Sequence, residues 1–91
     1  MSTLHLVSVN LSGRTELTAQ LRAAASADDS ILFMGSGIYS LTTLPDLSGK
    51  LLALHADVAA TGFSPCSAVA LVDYATVIRL TEQHERSVSW S

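Results

Sequence analysis

Ile31-Leu32-Phe33-Met34, followed at once by Gly35-Ser36-Gly37 and then by Ile38-Tyr39-Ser40-Leu41, decides how this sequence is read. Four apolar residues without alternation fit a strand covered on both faces, as strands of parallel sheets are. The glycine cluster breaks the run, and the next four residues suit a short helix. The same rhythm recurs on both sides. Leu4-His5-Leu6-Val7-Ser8-Val9 is β-prone, and Asn10-Leu11-Ser12-Gly13 interrupts it as a loop. Leu17, Leu21, Ala24 and Ala25 then recur at helical spacing, with Ser12 or Thr15 as the expected cap and Asp28-Asp29 as the expected end. Beyond the central unit, Pro45 and Gly49 punctuate a loop, and Leu51–Leu54 is a third strand. Asp57 is placed to cap a short helix through Val58, Ala59 and Ala60, which Gly62 closes. Ser64-Pro65-Cys66-Ser67 is a loop, and Ala68–Val72 a fourth strand. Asp73 caps a helix in which Tyr74, Val77, Ile78 and Thr81 share one face, while Arg79, Glu82 and Arg86 point elsewhere. Val88 and Trp90 alternate with serines at period two, as a half-buried strand does.

Apolar strands alternating with helices predict a three-layer α/β/α domain on a mainly parallel sheet of about five strands. With 91 residues the chain is one domain, 1–91, with no internal repeat or linker. Folding at this size hides roughly 60–65% of the surface of the unfolded chain. Hydrophobic residues make up 48% and charged residues 14%, which argues against disorder. No apolar run approaches the ~18–20 residues of a membrane helix, so no membrane association is expected. No basic residue precedes Arg14, so no secretory signal is expected. Five basic residues against eight acidic ones leave no basic stripe to follow a phosphate backbone. One cysteine, Cys66, excludes an internal disulfide and points to the cytoplasm. Between Ile31 and Val72 the only formal charges are Asp46, Lys50 and Asp57. So long an uncharged stretch predicts that another subunit covers part of the surface, a second copy of this chain included.

The candidate chemistry is thin. Gly35-Ser36-Gly37 sits where α/β sheets often bind phosphate, between a strand and a helix. The dinucleotide and Walker patterns are absent, and Met34 breaks the nucleophile-elbow pattern. A tight turn is the simpler reading. His5, His55 and His84 have no metal-ligand spacing, so neither a metal nor a cofactor is expected. His5 and His55 fit sheet-end positions with one hydrogen bond each. A reactive Cys66 needs a neighbouring cation or helix N-terminus, and Ser64, Pro65 and Ser67 bring no charge. A lone tryptophan at position 90 is expected to be docked rather than frayed.

Several segments, taken in order, resemble the DsrH/TusB family of small sulfur-relay subunits. Thr3-Leu4-His5 is similar to that family's opening Leu-His strand. Leu32-Phe33 with Gly37-Ile38-Tyr39 is similar to its second strand and following turn, with Ser36 where aspartate is usual. Ala60-Thr61-Gly62-Phe63 resembles its Ala-Arg-Gly segment. Val72-Asp73-Tyr74, Leu80-Thr81 and Trp90 resemble its Asp-Tyr, Leu-Thr and terminal Trp.

The resemblance implies a three-layer fold and a cytoplasmic dimer of heterotrimers with TusC/DsrF-like and TusD/DsrE-like subunits. It implies persulfide relay toward 2-thiouridine at the tRNA wobble position, with tRNA met only indirectly and the main acceptor cysteine on the TusD/DsrE-like partner. Some members carry a cysteine in the first helix. Aligned through Leu17 and Leu21, that position is Gln20 here, and an amide cannot form a persulfide. The chain is therefore expected to be a non-catalytic subunit, with Cys66 the one candidate thiol. The alternatives are a subunit serving sulfur oxidation, or a self-standing thiol-dependent transferase using Gly35-Ser36-Gly37 and Cys66.

Overall fold

The structure is a computed structural model and describes residues 2–42, 47–62 and 69–90. Pro45, Ala68 and the loop Ser64-Pro65-Cys66-Ser67 lie outside the described residues. Five strands form one sheet: β1 (Thr3–Val7), β2 (Ser30–Phe33), β3 (Lys50–Leu54), β4 (Ala70–Val72) and β5 (Arg86–Trp90). Their order is β4-β3-β2-β1-β5, and every adjacent pair is parallel. The connections are α1 (Thr15–Ala24), a 3-10 helix (Gly35–Thr42), α2 (His55–Thr61) and α3 (Tyr74–Gln83).

The strand order explains the layers. From β1 to β4 each step moves one strand in the same direction. Right-handed crossovers then place every connection on one face. The step from β4 to β5 runs back across the sheet, so its helix belongs on the other face. The packing agrees. On one face Val7, Ile31, Phe33 and Ala53 pack with Leu21 of α1, Ile38 and Leu41 of the 3-10 helix and Val58 of α2. On the other, among the described residues, Leu4, Leu32 and Leu52 pack against Val77 and Leu80 of α3 and the neighbouring Leu6 and Val72. Central β2 is buried at all four positions; it sits one residue earlier than the apolar run Ile31–Met34, taking in Ser30 and leaving Met34 half-buried beyond its end. Ile31, Leu32 and Phe33 each contribute roughly 1.5–3 kcal/mol by leaving water.

Several local readings are corrected. The residue before α1 is Arg14, and no side chain caps the helix. Ser12 lies in the loop before it, donating its N–H to Asn10 Oδ1 (3.0 Å) in an Asx turn. The helix stops at Ala24, which is exposed, because Ala25 turns extended; Asp28-Asp29 do not end it. Helix α2 begins at His55, so Asp57 lies inside its first turn and does not cap it. Gly62 does close that helix in the left-handed conformation. Asp73 caps α3 as expected, its Oδ1 accepting the Thr76 N–H at 2.8 Å. The Thr76 side chain, then this N–H, hold the Asp73 carboxyl below its usual range.

The buried stripe of α3 is not the predicted one. Val77 and Leu80 face the sheet, and Tyr74 and Ile78 are each 61% exposed. The apolar residues of this helix spread over a wider arc than one sheet contact needs.

Candidate functional site

Ligands of parallel α/β sheets bind beyond the carboxyl ends of the strands. There Gly35-Ser36-Gly37 opens the 3-10 helix, beside the ends of β1 and β3. Two of its three backbone donors are already engaged. Gly35 N–H donates to Asp57 Oδ2 at 2.7 Å, and Gly37 N–H donates to Met34 O at 2.9 Å. A carboxylate from α2 thus sits where a phosphate would, and the segment works as a tight turn. Gly37 passes so close to β1 that a Cβ there would lie 2.1 Å from Val7 O. Ser40, fully buried, accepts the Leu11 N–H at 2.8 Å and donates to Val9 O, fixing the loop after β1 onto this helix.

The histidines do not converge. His5 is buried on β1, with Nε2 2.8 Å from Asp29 Oδ2. Its Nδ1 accepts the indole N–H of Trp90 at 3.1 Å. An indole nitrogen only donates, so Nδ1 must be the bare nitrogen and Nε2 the protonated one. Both nitrogens are therefore occupied, which leaves none to serve as a base for a substrate. His5 makes two hydrogen bonds where one was expected. Asp29 accepts from three directions: His5, Thr3 N–H (3.0 Å) and Ser26 N–H (3.1 Å). Burial pushes its carboxyl upward, but His5, the Ser26 and Thr3 N–H groups and the Ser26 hydroxyl outweigh that and hold it at about 2. His84 lies against the opposite face, bonded through Nδ1 to Leu80 O and through Nε2 to Ser30 Oγ. His55 is exposed at the start of α2. Among the described residues no three His, Cys, Asp or Glu side chains gather into a metal site.

The third candidate region is the start of α1. Gly13, Arg14, Thr15, Glu16, Leu17 and Gln20 line an open cavity of about 410 Å³. Arg14 and Glu16 oppose each other in charge on its wall, so it carries no net attraction for an anion. Gln20 is exposed there and offers only an amide. Cys66 lies outside the described residues. Sequence reasoning missed Asp29 and Ser40. The available signal for Asp29 was its place just before the most apolar strand, where a carboxylate must find donors to be buried.

A family model described as "DsrH like protein" matches residues 12–87. The solution NMR structure of protein Tm0979 from Thermotoga maritima is similar over 91% of this chain and 94% of that one, with 27% identity and a TM-score of 0.70. No curated protein matches the chain.

Proposed function

The chain belongs to the family of DsrH-like proteins, and from that premise we propose that it is a non-catalytic subunit of a cytoplasmic sulfur-relay complex. The reaction it serves is 2-thiouridine formation at the tRNA wobble position. One observation carries this reading: within the matched segment, the first-helix position at the α1 cavity is Gln20, not a thiol. An amide has no thiolate to attack a persulfide. Sulfur oxidation is the less favoured role for the same reason. His5, His84 and the Gly35 and Gly37 N–H groups are engaged in internal hydrogen bonds, which gives a self-standing transferase little to work with.

The proposed partners are TusC/DsrF-like and TusD/DsrE-like chains in a dimer of heterotrimers. Tyr74 and Ile78 support this part of the reading. They form an exposed apolar pair one turn apart on α3, which among the described residues is the only helix on its face of the sheet. Large aromatic and aliphatic side chains of this kind anchor interfaces.

Affinity purification from the native cell tests the assignment. Two further α/β chains of similar size should co-purify. Ile78→Asp should remove them while leaving the thermal midpoint within a few degrees, because Ile78 is outside the core. A lone chain active in sulfur transfer would overturn the proposal. Cys66→Ser should leave tRNA thiolation near the wild-type level in a complementation assay. Loss of thiolation with the complex still assembled would make Cys66 a carrier and end the non-catalytic reading.

A further inference from the structure

Asp29, His5 and Trp90 form one line of hydrogen bonds from the start of β2, across β1, to the edge strand β5. We propose that this line is an acid-sensitive clasp: protonating His5 releases the Trp90 indole and loosens β5. The argument is one of donors and acceptors. Neutral His5 has one N–H, given to Asp29, and one lone pair, taken by Trp90. A second proton can go only onto Nδ1. Two N–H groups then face each other across a 3.1 Å contact that neither can accept. The proton comes from solvent as the edge strand opens, and no other group need change state.

The neighbouring charges give the effect its direction. Asp29 is the carboxylate on the ring, and it stays bonded to Nε2–H when the ring is charged. Acid therefore tightens the β2 side and weakens the β5 side. Arg86 on β5 lies one step along the same face, with Nε donating to Thr3 Oγ1 at 3.2 Å, so a charged ring gains no partner from it. Helix α1 offers this core only Leu17, Leu21 and Ala25, and keeps Glu16 and Arg22 exposed. Asp28 and Lys50, beside Asp29 in the sequence and the sheet, are also exposed. His84 is on the opposite face, bonded to Ser30 and Leu80.

Strand β5 has little else to hold it inward. Arg86, Ser87, Val88 and Ser89 are exposed, and Trp90 alone packs against the core. Among the described residues β5 pairs only with β1. Losing this partly buried hydrogen bond should be felt along the whole strand, on the order of tenfold in opening.

Amide hydrogen exchange of the full chain reads this directly, compared between about pH 8 and about pH 5, the window in which imidazoles change charge. After correction for intrinsic exchange, protection in β5 should fall roughly tenfold relative to β2 and β3 at the lower pH. The Trp90 indole N–H should exchange faster in parallel. His5→Gln keeps a donor for Asp29 and an acceptor for Trp90 but cannot titrate, so its β5 should be equally protected at both pH values. Should that variant not fold, Trp90→Phe removes the donor, and its β5 should be loose at both. Unchanged β5 protection in the wild type, or an equal acid response in His5→Gln or Trp90→Phe, overturns the proposal.

Discussion

Gly37→Ala should destabilise the fold by about 3 kcal/mol or more, at the upper end of what overpacking costs. A Cβ at this position would stand 2.1 Å from Val7 O and 2.9 Å from Val7 C. Both are backbone atoms, so no side chain can swing away. Val7 ends β1, pairs with Phe33 and Trp90 on its two sides, and its carbonyl accepts the Met34 N–H at 3.0 Å. Relief requires moving either the end of a central strand or the 3-10 helix that carries Ile38 and Leu41 into the core. A domain of this size has only about 5–10 kcal/mol to lose. Gly13→Ala is the comparison. Gly13 has a positive φ of 78° but open space around it, so its alanine should cost only the left-handed strain of about 1–2 kcal/mol. Urea unfolding of the two variants checks the ranking. A Gly37→Ala midpoint at or above that of Gly13→Ala would show that the close approach is not a constraint.

Asp29→Asn, nearly the same size, should cost about 3 kcal/mol at neutral pH. The carboxylate faces donors on both oxygens: Oδ1 accepts from Thr3 N–H and Oδ2 from His5 and Ser26 N–H, with the Ser26 hydroxyl adding a further bond. An amide replaces one oxygen with a donor. Whichever way it turns, an N–H meets an N–H, or His5 must surrender the nitrogen that accepts from Trp90. The pH dependence follows from the Asp29 carboxyl, held at about 2 against an ordinary 3.8. A depressed value means that its stabilisation is complete above the ordinary value and is lost as pH falls through about 2. Below about pH 4 the gap between wild type and Asp29→Asn should therefore shrink, down to about pH 2. Denaturant unfolding at several pH values measures it. A gap that grows as pH falls from about 4 to about 2 would mean that the carboxylate is not the stabilising form.

The strands were legible because parallel pairing buries both faces, which leaves unbroken apolar runs such as Ile31–Met34. The edge strand β5 was legible from its alternation of Val88 and Trp90 with serines, although Val88 is exposed and only Trp90 packs inward. The α3 stripe was not. Tyr74, Val77, Ile78 and Leu80 cover more of the helix than one contact needs, and sequence cannot say which part meets the chain's own sheet. The His5–Asp29 bond was hidden because it spans 24 positions and depends on the register of β1 against β2. Asp57 looked like a cap because its partner, the Gly35 N–H, lies 22 positions away on another element. The weakness of the phosphate reading was visible in the missing motif residues, whereas the reason for it, a carboxylate already in place, was visible only in space.

The pairing of β1 with β5 has a consequence during synthesis. Thr3 and Arg86 are neighbours in the sheet but 83 positions apart along the chain. Until Arg86 to Trp90 have been made, the outer rim of β1 has nothing to pair with, although β2, β3 and their helices can already be folding. A nascent chain would carry that bare rim for most of its time on the ribosome, open to strand addition by any extended segment nearby. Sealing it is the slowest kind of contact to form, because the loop to be closed is nearly the whole domain.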